Sequence, residues 1–162
     1  IYAERRARLA SQLGKDGIAI IPTAPERQRN RDSDFLFRHD SYFYYLTGFT
    51  EPEAVLVLVA GKENRSILFC RDKNLEREIW DGYRHGPQAA QQLFALDAAH
   101  PIEELDKNMP ALLSDARAVY YALGQDDQRD AQLQRWLQGV RALARSGVSA
   151  PGAVVDLSLI HI

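Results

Sequence analysis

Residues Arg38 to Leu58 read RHDSYFYYLTGFTEPEAVLVL: a polar lead-in, an aromatic cluster, a glycine stop and an alternating apolar run follow one another without filler. Asp40 and Ser41 are cap residues for a helical turn carrying Tyr42, Phe43, Tyr44, Tyr45 and Leu46, and Gly48 ends that turn because a left-handed residue costs glycine little. Four aromatics in a row cannot all face one way, so some pack inward while others face the rest of the molecule or a partner. The apolar run Ala54 to Ala60 is separated from a second, Ser66 to Cys70, by Gly61-Lys62-Glu63-Asn64. This is a strand–turn–strand signature and predicts an antiparallel hairpin.

Upstream of this block, Tyr2 to Leu13 is rich in helix formers, and Gly14 with Lys15-Asp16-Gly17 supplies a stop and a turn. The basic run Arg5, Arg6, Arg8 reads as the solvated face of that helix. Ile18 to Ile21, between Gly17 and Pro22, reads as a fully buried strand. From Thr23 to Phe37 periodicity is lost and a long polar loop is expected, of the kind that is often functional or interfacial.

Downstream of the hairpin the period changes from 2 to 3.6. Helices are expected around Leu75 to Trp80 and Gln88 to Leu96, and another from Pro101 through Ile102, Leu105, Met109, Leu112 and Leu113, kinked or split by Pro110. Ala118 to Ala122 reads as a short strand. Leu133, Trp136, Leu137, Val140, Leu143 and Ala144 make the cleanest amphipathic stripe in the chain, which assigns Trp136 to the core. Strands mixed with helices on both sides imply an α/β fold, a three-layer domain with a mixed sheet flanked by helices.

At 162 residues the chain suits one domain with one core. A balance of 20 basic against 22 acidic residues removes the electrostatic reason to expect nucleic acid or an anionic membrane as partner. No apolar stretch reaches the roughly 18–20 residues that span a bilayer, and no signal-peptide pattern is present; a cytoplasmic location follows as the expectation. Cys70 is the only cysteine, follows Ile67-Leu68-Phe69, and reads as a buried inert thiol. The chain opens on Ile1 with a helical pattern already running, so a start upstream is expected.

Catalytic chemistry is hard to place on these residues. His39, His85, His100 and His161 form no chelating pair and join no metal-binding pattern, so each reads as structural or superficial, and no metal ligand is assigned. Nucleophile elbows, phosphate-cradling glycine loops and a Cys–His arrangement are missing. Glu103-Glu104 and Asp126-Asp127 lie at helix starts, where the helix dipole explains them. No catalytic residue is assigned.

The block YYLTGFTEPEAVLVL, with its Gly48, Glu51, Pro52 and Glu53 punctuation, resembles the amino-terminal domain of the aminopeptidase P family, proline-specific metallo-aminopeptidases. The likeness continues through SILFCRDKN, LEREIWDG and YRHG, and more weakly through AVYYAL to Ala150-Pro151. It implies a creatinase-type domain with a ribonuclease-H-like mixed sheet, spanning 1–156, with 157–162 opening a linker or forming a divergent end. It also implies a following catalytic domain, beyond Ile162, in which two Asp, one His and two Glu hold two divalent metals, manganese by family habit. By the same resemblance, this domain walls the active-site cleft of an enzyme releasing the first residue from Xaa-Pro peptides, and makes subunit contacts in a homo-oligomer.

Within the Glu-Ile-Trp-Asp-Gly segment, Glu78 to Gly82, the resemblance places Trp80 in the substrate pocket; read alone, Trp80 would finish a helix face with Ile79 and pack. Arg141 and Arg145 flank the place where the family brings an arginine towards substrate. Tyr42, Phe43, Tyr44 and Tyr45 are the expected interface residues. A prolidase amino-terminal domain shares the two-domain plan, and a stand-alone binding or assembly module using the aromatic block is the reading from another class.

Overall fold

The computed structural model of the chain describes residues 1–23 and 41–157, the side chains of Ser41 and Asp81 excepted. The lead-in Arg38 to Asp40, the loop beyond Thr23, and the end from Ser158, with His161, lie outside the described residues.

Helix α1 (Tyr2–Leu13) leads into strand β1 (Gly17–Pro22), and the aromatic block forms helix α2 (Ser41–Thr47). Strands β2 (Val55–Val59) and β3 (Arg65–Cys70) follow, pairing antiparallel with Val55 opposite Phe69. Helices α3 (Leu75–Asp81) and α4 (Pro87–Leu93) precede β4 (Ala98–Pro101), α5 (Leu105–Leu113), β5 (Ala118–Tyr120), α6 (Asp127–Ala142) and β6 (Ala153–Val155). The six strands form one mixed sheet in the order β4-β3-β2-β1-β5-β6. β1 runs antiparallel to β2 and parallel to β5, β3 runs parallel to β4, and β5 parallel to β6.

Strict alternation along the three central strands builds two cores. Ala19, Ile21, Leu56, Leu58, Leu68 and Cys70 face a layer of α1, α2 and α4. Ile18, Ile20, Val55, Val57, Ile67 and Phe69 face α5 and α6. A one-residue slip of either strand pair would exchange every side chain between these layers, so the register is fixed by burial on both faces. The α/β three-layer reading therefore holds.

Several local expectations change. Pro101 ends β4 rather than opening a helix: Ala98–Pro101 pairs parallel with β3, and a 3₁₀ turn, Ile102–Glu104, separates it from α5. Strands β4 and β6 are too short to show a period of 2. Pro110 sits inside an unbroken α5. A methyl group at Gly139 of α6 would stand 3.6 Å from the Pro110 ring, so the glycine lets the two helices approach at the proline. The stripe on α6 buries Leu133, Trp136, Leu137 and Val140, but stops there, since Leu143 is exposed past the helix end. Helix α4 ends at Leu93, short of Leu96.

Nor is Arg6 solvated. It is buried and donates to the carbonyls of Leu46, Phe94 and Ala95, each at 3.0 Å, pinning α1 to the carboxyl ends of α2 and α4. Burial lowers its pKa, and Asp97 opposes that shift. The Leu46 and Phe94 carbonyls stand at helix ends, where the last carbonyls have no partner within the helix, so the charge is stabilised where acceptors would otherwise be orphaned.

Candidate functional site

Helix α3 belongs to neither layer. None of its described side chains is buried, and Leu75, Ile79 and Trp80 are exposed together, with Tyr83 beside them just after the helix. Trp80 is 84% exposed, so the packing it would make with Ile79 is not made within the described residues. Large apolar side chains exposed from Leu75 to Tyr83, interspersed with the charged Glu76 and Arg77, are the kind of surface that marks an interaction site.

With so little buried, α3 is held by polar links. Asn74 caps it, accepting from the Arg77 backbone N–H at 3.1 Å. Glu78 Oε1 accepts from Lys73 Nζ at 2.8 Å and from the Arg84 N–H at 2.9 Å, and those two donors hold its carboxyl below its ordinary pKa, the backbone donor most strongly. Lys73 Nζ also donates to the Arg84 carbonyl at 2.7 Å and lies 4.2 Å from the centre of the Tyr83 ring. A Cβ on Gly86, whose φ is +79°, would stand 2.9 Å from Lys73 Cβ. The two stems of the α3 excursion thus touch, and glycine is what permits the contact.

Beneath the stems lies a buried charge cluster. Glu51 is 7% exposed; its Oε2 accepts from the His85 backbone N–H at 2.8 Å and pairs with His85 Nδ1 at 2.7 Å. Its Oε1 pairs with Arg71 Nη2 at 3.4 Å. The His85 ring is seated among Phe49, Tyr83 and Phe94. Sequence reading set His85 aside for want of a chelating neighbour, and used Glu51 only as punctuation. The available signal was the hairpin register: pairing Val55 with Phe69 carries Arg71, just past β3, to the level of the Glu51–Glu53 lead-in.

The aromatic block divides its work. Phe43 is wholly buried; Tyr42 and Tyr45 pack part-buried against the same core. The Arg5 guanidinium lies 4.1 Å from the Tyr45 ring centre, and Tyr44, 36% exposed, meets Tyr2 edge-on. Arg141 lies in the last turn of α6 and Arg145 in the 3₁₀ turn after it, both exposed. Among the described residues, no hydrogen bond, ion pair or ring contact links either arginine, or the aromatic block, to Trp80.

Other groups are structural in their surroundings. Burial pushes the Cys70 thiol up to about 12, with Glu51 adding to the shift. Trp136 is 4% exposed and donates its Nε1–H to Asp106 at 2.8 Å. Asp126 caps α6, accepting from the Gln128 and Arg129 backbone. Among the described residues no group of three or more His, Cys, Asp or Glu side chains is placed to hold a metal ion, and no described helix is long and apolar enough to cross a membrane.

The family pattern described as aminopeptidase P, N-terminal domain, matches residues 2–120. The Xaa-Pro aminopeptidase of Escherichia coli strain K12 is 36% identical over 157 residues, covering 96% of this chain and 36% of that enzyme. The structure of Pseudomonas aeruginosa aminopeptidase PepP superposes with a TM-score of 0.90 at 43% identity, over 97% of this chain and 36% of that one. An Escherichia coli aminopeptidase P in complex with substrate superposes with a TM-score of 0.91 at 36% identity and the same coverage. The chain thus spans about a third of the length of these relatives, and a match that covers most of its residues, in sequence and in fold, makes it a member of the aminopeptidase P amino-terminal domain family.

Proposed function

We propose that this chain is the amino-terminal, non-catalytic part of a Xaa-Pro aminopeptidase and that α3 carries its contribution to the active-site cleft. The observation that supports this reading is Trp80: a domain that buries its other tryptophan leaves this one 84% exposed, on a helix fastened by hydrogen bonds. An indole presents a large apolar face with a single donor, so it holds varied side chains without demanding one hydrogen-bonding pattern. That suits an enzyme which selects the second residue of its substrate and tolerates many first residues.

In this reading the bond would be cleaved in a following domain, whose residues would hold two divalent metals, manganese by family resemblance, that would supply an activated water. The described residues supply no ligand set for those ions, so no step through them is assigned to this chain. What its own residues supply is an apolar wall, Trp80 with Ile79 and Tyr83, closing over the residue that precedes proline. Arg141 and Arg145 remain candidates for approaching substrate, and exposed Tyr44 in the aromatic block for subunit contact in a cytoplasmic homo-oligomer.

The experiment is to assay the full-length protein and its Trp80→Ala variant on Xaa-Pro dipeptides and on longer Xaa-Pro peptides. Cleavage of the longer peptides, weakened in the variant, supports the reading. Activity confined to dipeptides indicates a prolidase, and no peptidase activity indicates an assembly module.

A further inference from the structure

The two stems of the α3 excursion, residues 72–84, meet on one carboxylate. Arg71 closes the stem that leaves β3, and His85 opens the stem that returns towards α4. Glu51 pairs with the first through Oε1 and with the second through Oε2. Its backbone is well suited to hold that direction, because Pro52 restricts the residue before it to extended conformations, and Thr47 Oγ, which accepts from the Phe49 N–H at 3.0 Å, steadies the preceding turn. Lys73 and Glu78 add exposed links further out, whereas Glu51 is buried at the root of the arm.

We propose that Glu51 is a positioning residue: by fastening both stems of the 72–84 arm it sets where Trp80 stands relative to substrate. The functional half of this statement rests on the reading of Trp80 given above. Helix α3 buries none of its described side chains in either core, so loosening a stem at its root lets the arm open while the sheet beneath keeps its two cores. Substrate then meets a wall that must first be ordered, which weakens binding more than it slows the bond-breaking step.

The test uses the full-length protein with Glu51→Gln, which preserves size but cannot serve both stems, and Arg71→Met, which removes one stem and leaves the His85 bonds in place. Hydrogen exchange followed by mass spectrometry is read over residues 72–85 and over the sheet, alongside KM and kcat on an Xaa-Pro peptide. Expected are amides of the arm exchanging about tenfold faster, the change that about 1.4 kcal/mol of easier opening produces, strands β1 to β3 unchanged, and KM raised several-fold with kcat retained. Unchanged arm exchange in both variants overturns the proposal, as does an equal rise in arm and sheet, which marks Glu51 as a general stabiliser. A loosened arm with unmoved KM overturns it too, where Trp80→Ala raises KM. If Trp80→Ala has no kinetic effect, the reading of Trp80 fails, and with it the claim that the arm delivers a substrate contact, whatever the exchange shows.

Discussion

Replacing each tryptophan by alanine should separate the packing role of Trp136 from the substrate contact proposed for Trp80. Trp136 is 4% exposed between α5 and α6 and bonded to Asp106. Its truncation opens a cavity worth about 3–5 kcal/mol and leaves Asp106 with the weaker 3.3 Å bond from Gln132. At roughly 2–4 °C per kcal/mol for a domain of this size, the melting temperature should fall by roughly 6–20 °C. Trp80 is 84% exposed, so its truncation leaves no cavity. Alanine is also the better helix former, by a few tenths of a kcal/mol, and the net change should stay within about 0.5 kcal/mol. Kinetically the order reverses. Trp80→Ala in the full-length enzyme should lose apolar binding contacts worth about 1–3 kcal/mol, a fall on the order of 10–200-fold in kcat/KM carried mainly by KM. Thermal unfolding followed by circular dichroism, with steady-state kinetics on the same preparations, gives both numbers. If Trp80→Ala unfolds the domain while the folded remainder keeps full activity, Trp80 is a packing residue and the reasoning is refuted.

Further outcomes are expected from the backbone and the titrating groups. Gly48→Ala should cost about 1–3 kcal/mol in chemical denaturation, since its φ of +72° disfavours a side chain and a Cβ there would stand 2.6 Å from the Tyr2 ring. Glu53→Gly should be neutral or stabilising by up to about 1 kcal/mol, because the exposed Glu53 holds a φ of +56° that glycine adopts without strain. Cys70 should resist thiol reagents until the chain unfolds; its raised folded pKa means that stability falls as pH rises past the unfolded thiol's value of about 8.5, measurable as a declining denaturation midpoint in alkali. Glu78, whose folded pKa is depressed, should do the opposite: its link to Lys73 and Arg84 is present above the ordinary carboxylate range and is lost as pH falls through the folded value, which nuclear magnetic resonance would read at the Arg84 amide.

The fold was legible where a single period dominated. Ile18 to Ile21, Val55 to Val59 and Arg65 to Cys70 are apolar runs bounded by glycine, proline or charge, and the stripe from Leu133 to Val140 could only be a helix with one buried face. The edge strands β4 and β6 carry no such signal, because three or four residues paired on one side only can be written in almost any alphabet, here Ala-Ala-His-Pro and Ala-Val-Val. Arg6 was misread for a related reason: a charge run on a helix gives no sign of which member will meet carbonyl groups from two other helices forty and nearly ninety residues away.

The candidate site shows the same division. Trp80 stood out through the family resemblance alone, since read by itself it would finish a helix face with Ile79 and pack. Glu51 did not, because its meaning depends on register. The hairpin register, with Val55 opposite Phe69, brings Arg71 alongside the residues that precede β2, and the chain must pass through α3 and leave it at Gly82 before His85 returns to Glu51. An apolar core is written residue by residue in the local pattern, since burial rewards each side chain separately. A buried polar cluster is written in the pairing of distant segments, since each member is satisfied by groups far away in sequence. The residues that fasten the α3 arm therefore emerge only from the three-dimensional arrangement, although every one of them was in view as sequence.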